Sequence, residues 1–450
     1  MLRNIERNYP QISNKGLIVG FFLGIDLGTS GIRSSIINDE GKEVSKHSIL
    51  MSDPLNKGLR KIQDPNIWWH LVKKLIRSQC QKLGSININP EHILAISTNG
   101  TSGTILLTDE NLTPLTKGEM YSSKGFEKET ITINKFCPKN HITSQSNSSL
   151  AKLLYLKNNV NLIHKKVKVL HQADWISAKL RGGGFFSDDN NSLKLGFDLS
   201  TNQWPEWITQ SLVNQNILPQ VFRPGKKTGT ISSKLAKEFG LTKKCMIISG
   251  TTDSISSFLA HDVKIKGEAV TSLGTTLSIK ILSDKPIQNL MYGIYSHRIL
   301  DKWLVGGASN TGGIVLKKFF KDNELKFLEK KIDPEKESNL SYYPLVEAGE
   351  RFPINDPYLK PKLTPRPSDD SIFLHGILES IANIEKNCFS ILENLGSTPL
   401  KNVFTSGGGA NSKVWRSIRQ RILGVPVQNN PNKSASLGSA KLALMGYQTS

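Results

Sequence analysis

The sequence predicts an α/β protein of two domains, and three observations carry that prediction. A strand, a tight Gly/Thr/Ser turn and a return strand open the chain at 21–38, and the same grammar recurs at 268–282. Short apolar runs end in small polar residues at 93–103, 245–254 and 403–412, the position at which open α/β sheets bind ligands. At 450 residues the chain also exceeds one ordinary core, so two domains of roughly 200 residues each are expected. The two hairpin units imply a duplicated architecture in which each half supplies one phosphate-contacting turn.

Bulk composition narrows the function. A hydrophobic content of 38% comes without a run long enough to span a bilayer. The formal charge is +20, yet the lysines are scattered as pairs such as Lys73-Lys74 and Lys243-Lys244. They are not interleaved with stacking aromatics, and no zinc-finger spacing appears, so no nucleic-acid partner is expected. The positive field instead suits anionic small molecules such as nucleotides. Cys80, Cys137, Cys245 and Cys388 share no C-x-x-C spacing and read as free thiols of a reducing, cytoplasmic compartment. Residues 1–20 are polar and basic and read as a flexible extension, a mis-assigned start or a short transit-like arm.

The elements follow in order. The run Phe21-Phe22-Leu23-Gly24-Ile25-Asp26-Leu27 ends in an aspartate, and Gly28-Thr29-Ser30-Gly31 turns the chain into a return strand. Turn N–H groups that point one way form an anion nest, with Thr29 and Ser30 adding hydroxyls and Asp26 a carboxylate for hydrated Mg²⁺. An ordinary hairpin with a turn-capping aspartate explains that stretch alone equally well. Asp64-Pro65 starts a helix with Ile67, Trp68, Leu71, Leu75 and Ile76 on one face, closed at Gly84. Strands follow at 93–97 and 104–108, with a hairpin tip at Asp109-Glu110-Asn111. Residues 111–149 read as a loop-rich insertion bordering a cleft. Helices at 150–156 and 173–180 precede Ser187-Asp188-Asp189-Asn190-Asn191, either an Asx-rich helix cap or a polyol-recognising cluster.

In the second half, 217–230 reads as a connector and 235–239 as a helix. The buried strand 245–249 runs through Gly250-Thr251-Thr252-Asp253 into a helix. Asp253 therefore stands where the helix dipole favours an ionised carboxylate, with a plain N-cap as the ordinary alternative. After the second hairpin, Gly306–Gly313 leads into a helix at 314–320, and 322–370 reads as irregular. Asp369 caps a long helix ended by Gly396. A strand at 403–405 enters Ser406-Gly407-Gly408-Gly409-Ala410-Asn411, and helices at 413–423 and 435–444 close the chain. The triple glycine is not a Walker loop, because Ser412 occupies the second glycine's place, and no G-x-G-x-x-G follows the first strand.

Taken together, Asp26-Leu27-Gly28-Thr29, Gly250-Thr251-Thr252-Asp253, Ser272-Leu273-Gly274-Thr275-Thr276 and Ser406-Gly407-Gly408-Gly409-Ala410-Asn411 resemble the motifs of the FGGY carbohydrate kinases, within the actin-like ATPase superfamily. The resemblance covers about 21–445. It implies two ribonuclease-H-like domains, each a mixed sheet flanked by helices, divided as 21–260 and 261–450 around a central cleft. It implies ATP and Mg²⁺, with Asp26 as the metal-site carboxylate and Asp253 as the catalytic base. Sugar contacts are implied for Asp26, Thr29, Asn99, Gly100, Tyr121 and Asp253. ATP contacts are implied for Gly28, Thr29, Ser30 and Arg33 of the first hairpin and Gly274, Thr275 and Thr276 of the second. Gly312 and Gly313, and then Gly408, Gly409, Ala410 and Asn411, complete the implied nucleotide site.

Within that family, Met120-Tyr121, Ala173-Asp174-Trp175 and Leu195-Gly196-Phe197-Asp198 are most similar to short ketopentose kinases of photosynthetic organisms. The expectation is therefore phosphorylation of D-ribulose at its primary hydroxyl by a monomer or homodimer, with D-xylulose as the alternative. One departure is Tyr121-Ser122-Ser123-Lys124, where Ser123 replaces the family's usual substrate-facing Asp. Two rival readings are an actin-like ATPase switch without a sugar substrate and a sugar-binding homologue of weak activity.

Overall fold

The computed structural model describes residues 20–139, 141–160, 166–261, 263–299, 301–429 and 433–450. The expectation for residues 1–20 thus lies, apart from Gly20, outside the described residues. β1 (Phe21–Leu27) is buried throughout and pairs antiparallel with β2 (Gly31–Asn38). The Gly28 N–H closes their turn onto the Gly31 carbonyl at 3.0 Å. β3 (Glu43–Leu50) adds a third antiparallel strand, and β4 (Leu55–Lys57) with β5 (Arg60–Gln63) forms a separate hairpin. α1 (Pro65–Gly84) begins as its sequence predicts: the Asp64 carboxylate accepts the Asn66 N–H, and Trp68, Val72, Leu75 and Ile76 pack beneath the sheet.

β6 (Ile93–Gly100) runs parallel to β1. β7 (Ile105–Thr108), β8 (Gly118–Glu119), α2 (Glu127–Asn134), α3 (Ser149–Asn159), β9 (Lys168–His171) and α4 (Gln172–Arg181) follow. The small strands among these join the hairpin as a sheet of order β4-β5-β8-β7-β9. The segment expected to be loop-rich thus contains a strand and a helix. Only Ile133 of α2 is buried, so its sequence carries almost no apolar periodicity. Beyond it come β10 (Phe186–Asp188), α5 (Asp189–Ser192), α6 (Glu206–Thr209), β11 (Gln220–Phe222), β12 (Lys227–Thr230), α7 (Ser233–Phe239), β13 (Met246–Thr252) and α8 (Asp253–Ala260). The expected connector at 217–230 therefore supplies two short strands.

The second half repeats the plan. β14 (Glu268–Leu273), β15 (Leu277–Ser283), β16 (Tyr295–Ile299) and β17 (Lys302–Ser309) are antiparallel neighbours in the order β14-β15-β17-β16. α9 (Gly313–Phe319), α10 (Asp322–Glu329) and α11 (Asp370–Asn394) precede β18 (Asn402–Ser406), α12 (Lys413–Leu423), β19 (Val427–Asn429) and α13 (Ala435–Gln448). Two expectations change here. Gly306 and Gly307 lie inside β17, where a Cβ at Gly306 would meet the Ile279 carbonyl at 2.2 Å, so sheet packing explains these glycines. The charged stretch after 320 holds helix α10 before it becomes irregular.

The six-stranded sheets read β3-β2-β1-β6-β13-β12 and β16-β17-β15-β14-β18-β19. Each has an antiparallel hairpin whose first strand pairs in parallel with a later strand, β1 with β6 and β14 with β18. This is the duplicated mixed-sheet architecture expected from the two hairpins. No helix among the described residues is long and apolar enough to cross a membrane.

α8 and α13 lie between the two sheets. Leu437, Ala440 and Ala443 of α13 pack with Phe22, Ala95 and Ile248 of the first sheet. Leu442 joins Ile255, Phe258 and Leu259 of α8 against Val270, Leu282 and Phe404 of the second. Main chain meets main chain here: a Cβ on Gly24 would fall 2.0 Å from the Ser436 carbonyl, and one on Gly438 1.7 Å from the Ser256 carbonyl. Gly438→Ala is therefore expected to destabilise the protein by about 1–3 kcal/mol, the usual cost of overpacking. Gly84→Ala, where no atom lies within 4 Å of the added methyl, serves as the control and should be neutral or stabilising by up to about 1 kcal/mol. Equal melting temperatures for both variants in a urea or thermal melt would show that the helix contact is softer than its geometry implies.

Candidate functional site

Phe22, Gly24 and Asp26 share the α13 face of β1, because side chains alternate along a strand, so Asp26 reaches the cleft end of that face. Its carboxylate is only 5% exposed and lies 3.4 Å from the Arg33 guanidinium. Burial, reinforced by the charge of Asp253, pushes it up to about 6, against the opposing pull of Arg33. The turn beside it is rigid: the Gln63 amide donates to the Thr29 carbonyl at 2.8 Å, and the Met51 N–H donates to the Ser30 carbonyl at 2.9 Å. A Cβ on Gly28 would stand 2.9 Å from the Arg33 guanidinium and 3.2 Å from the Gly31 carbonyl. Ser30 and Arg33 are exposed, and Thr29 is half-buried.

Asp253 is the first residue of α8, with Thr252 in the N-cap position. Its Oδ1 accepts the Ser254 N–H at 2.7 Å, and the Ser102 backbone N–H lies near enough to favour the charged carboxylate. Burial raises its pKa, while these N–H groups and the charges of Lys280 and Lys194 hold it down. Lys280 comes from β15 of the second sheet, and its Nζ donates to the Ser254 carbonyl at 2.9 Å. Asp253 is thus where the two halves meet. The neutral form of His297, on β16, is favoured strongly by burial and by Lys280 and Lys194. Sequence reasoning missed Lys194, Lys280 and His297. Lys280 alternates with Leu277, Ile279 and Ile281 and so reads as a solvated outward position; only the fold turns that face towards α8.

On the second sheet three glycine turns converge. A Cβ on Gly407 (φ +82°) would strike the Leu273 carbonyl at 2.6 Å, and one on Gly312 would strike Thr275 and Thr276 at 2.7 Å. The Gly313 N–H donates to the Gly274 carbonyl at 2.8 Å. Gly312 and Gly313 therefore brace the turn of Gly274, Thr275 and Thr276, whose Thr275 is exposed. Beyond β18, Gly408 and Asn411 are exposed, whereas Ala410 is 2% exposed and a Cβ on Gly409 would collide with Trp415 and Leu273. Gly408 and Asn411 can face a nucleotide; Gly409 and Ala410 anchor the turn inward.

Three other expected residues are placed as follows. Asn99 is fully buried, and its amide donates to Ser439 Oγ at 2.7 Å, linking onward to Ser256 at 3.1 Å. It ties β6 to α13 and α8, and strand pairing sets it beside Asp26 on the helix-covered face. Gly100 is buried against the Ala173 N–H and the Gln172 carbonyl oxygen of its side chain. Tyr121 is 45% exposed, and its N–H donates to Thr104 Oγ1 at 3.0 Å. Ser123, in place of the usual Asp, is buried and exchanges two 2.9 Å hydrogen bonds with the Lys61 backbone. The cluster at 187–192 does two jobs. Asp188 caps α5, and the Asn190 amide pairs with both the N–H and carbonyl of Arg298 at 2.9 Å, clamping the first half to β16.

The residues fit the groups the hairpins suggest. Among the described residues no three His, Cys, Asp or Glu side chains gather as a metal cluster, consistent with Mg²⁺, which takes one or two carboxylates with waters and phosphates. Asp26, pushed towards protonation by burial, gains its charged form back beside a cation. No atom lies within 4 Å of where a Cβ would stand on Gly274 or Gly408, so main chain is open to a phosphate or a flat base there.

The chain matches the FGGY family of carbohydrate kinases along nearly its whole length, the N-terminal domain over residues 21–260 and the C-terminal domain over residues 269–447. It is 20% identical to a protein named xylulose kinase from Staphylococcus xylosus, covering 96% of this chain and 92% of that one. It is 23% identical to a gluconokinase of Bacillus subtilis, covering 95% and 88%. In fold it resembles a crystal structure of xylulose kinase from Rhodospirillum rubrum, with a TM-score of 0.83 at 19% identity over 95% of this chain and 90% of that one. The chain therefore belongs to the FGGY family of carbohydrate kinases and is a phosphotransferase with an alcohol group of a carbohydrate as acceptor.

Proposed function

We propose that this protein transfers the γ-phosphoryl group of ATP to the primary hydroxyl of a ketopentose, with Asp253 as the general base. The observation that carries the reading is the meeting at Asp253 of α8, the Ser102 turn, Asp26 and the second-sheet Lys280. The expectation of D-ribulose finds no support among the relatives, most of which are named xylulose kinase. D-Xylulose takes its place as the first choice.

Phosphoryl transfer asks a protein for positioning and charge stabilisation rather than covalent chemistry. The Gly28–Ser30 and Gly274–Thr276 turns would hold the phosphate chain from the two halves, with Gly408 and Asn411 against the nucleoside. Asp26 would hold Mg²⁺, which supplies charge neutralisation at the phosphate oxygens when bound. Asp253 accepts the proton of the attacking hydroxyl, and its position at a helix N-terminus keeps it ionised despite its burial. Lys280 and Lys194 lie within the electrostatic reach of the same carboxylate, where they meet negative charge developing at the transferring group.

Asp253→Ala should retain ATP binding and lower sugar phosphorylation by about 10²–10⁴-fold; turnover within a few-fold of wild type in a coupled assay would remove Asp253 from the role of base. Because burial raises this carboxyl and the base works ionised, kcat/KM should fall on the acid side at a pH above the ordinary Asp range. A panel of D-xylulose, D-ribulose, L-ribulose, ribitol, glycerol and D-gluconate should show D-xylulose with the highest kcat/KM. Thermal stabilisation by ATP with none by any sugar would favour a nucleotide switch over a kinase.

A further inference from the structure

Lys152 is a lysine buried in an apolar helix. It occupies the first turn of α3, flanked by Leu150, Ala151, Leu153 and Leu154 of the core, and is 0% exposed. Its Nζ donates to the Gly103 carbonyl at 2.8 Å and to the Tyr121 carbonyl at 3.2 Å, and no carboxylate lies within ion-pair range among the described residues. A buried ammonium without a carboxylate is costly. Burial and the charge of Lys194 push it down to about 7, while Glu119, itself paired with Arg60, pulls the other way.

What it holds is the acceptor side of the cleft. Gly103 has φ +89°, and the point where its Cβ would stand is 3.5 Å from Ser149 Oγ, 3.6 Å from Lys194 Cδ and 3.8 Å from Lys152 Nζ. Ser149 Oγ and Gln172 Nε2, both buried around this turn, have no hydrogen-bond partner. Thr101 and Thr104 share a 2.6 Å hydrogen bond across the turn, and the Tyr121 N–H donates to Thr104 Oγ1 at 3.0 Å. Ser102, inside the same turn, presents its N–H to Asp253. Lys152 is therefore the charged link between the turn that orients the base and the loop that carries Tyr121.

Resting on the assignment of Asp253 as base, we propose that Lys152 is a positioning residue of phosphoryl transfer, clamping the Gly103 and Tyr121 carbonyls so that Ser102 orients Asp253 and the Tyr121 loop shapes the acceptor site. Loss of the clamp displaces both at once, and a displacement of about 1 Å costs about 10²-fold in rate.

The test compares Lys152→Met, Lys152→Gln and Lys152→Arg in the full chain, in wild-type and Asp253→Ala backgrounds, with D-xylulose or the best acceptor of the panel. Lys152→Met should lower kcat by about 10²-fold and raise the acceptor KM, with the ATP KM unchanged. Gln should be intermediate, and Arg should recover most of the activity, since it alone restores a cation to the two carbonyls. In the Asp253→Ala background the further kcat loss should vanish while the acceptor KM effect persists, the signature of groups acting as a unit. Should the Met variant not fold, Gln and Arg with the same cycle decide. Wild-type kcat and acceptor KM in both Met and Gln, with Asp253→Ala inactive, would overturn the role of Lys152 and leave the base assignment standing. A full kcat loss in the Asp253→Ala background would equally overturn it. An active Asp253→Ala enzyme would sink the base assignment and this proposal together.

Discussion

The site depends on one contact, the seating of α13 on β1 and α8 with main chain against main chain. Gly24 and Gly438 leave no room for a methyl group between these elements, so the helix is fixed in height to within the tolerance of packed backbone. β1 carries Asp26 near its end, and α8 carries Asp253 at its start. The separation of the two carboxylates, and hence the repulsion between them, is set by a helix from the far end of the sequence. The polar line Asn99–Ser439–Ser256 ties β6, α13 and α8 across the same interface. Its members are buried and hydrogen-bonded to one another, which suits a joint that must hold one register.

That joint also explains why the two sheets act together. One side of α13 packs on the first sheet, and Leu442 on the other side enters the cluster of the second. The second connection runs from Asn190, whose amide also donates to Thr251 Oγ1 at 2.9 Å, to the Arg298 backbone, and the Arg298 guanidinium reaches Asp189 at 3.3 Å and Asn202 at 2.6 Å. An amide that mimics a strand partner adds direction as well as energy, so β16 is held in register with α5. A polar cluster that read as either a cap or a sugar-recognition patch turns out to cap α5 and to clamp the two halves.

Much of the fold was legible because its signals are local. The hairpin turns, the Asp64 and Asp369 caps and the two strand–turn–strand units follow from residue types at fixed offsets. The glycines were harder: Gly28, Gly274, Gly408 and Gly409 look alike in sequence, yet Gly274 and Gly408 are open while Gly409 is pressed against Trp415. A glycine demanded by packing and one demanded by a ligand leave the same letter. Asn99 was hidden for a related reason, because a polar residue at the end of a parallel strand points wherever the covering helix allows. Lys152, Lys194 and Lys280 were invisible because lysine ordinarily marks a solvated surface, and only tertiary structure buries Lys152 and half-buries the other two.

The electrostatics of the cleft have one direction. Asp26 and Asp253 are raised, and Lys152, Lys194, Lys280 and His297 are lowered, each with burial as the largest cause. Every one of these groups is therefore pressed towards its neutral form by the same poorly solvated surroundings. Arg33 opposes that pressure on Asp26, and Asp253 opposes it on Lys194 and Lys280. In such surroundings each charge counts for more than it would in water. The charged state of the site is consequently a coupled property: an anion beside Lys194 and Lys280 favours their charged forms, and a cation beside Asp26 favours its ionisation against the repulsion of Asp253. A phosphoryl-transfer site gains from this arrangement, because its fixed groups are already placed and already desolvated, so the charge that arrives with the reaction is met without reorganisation.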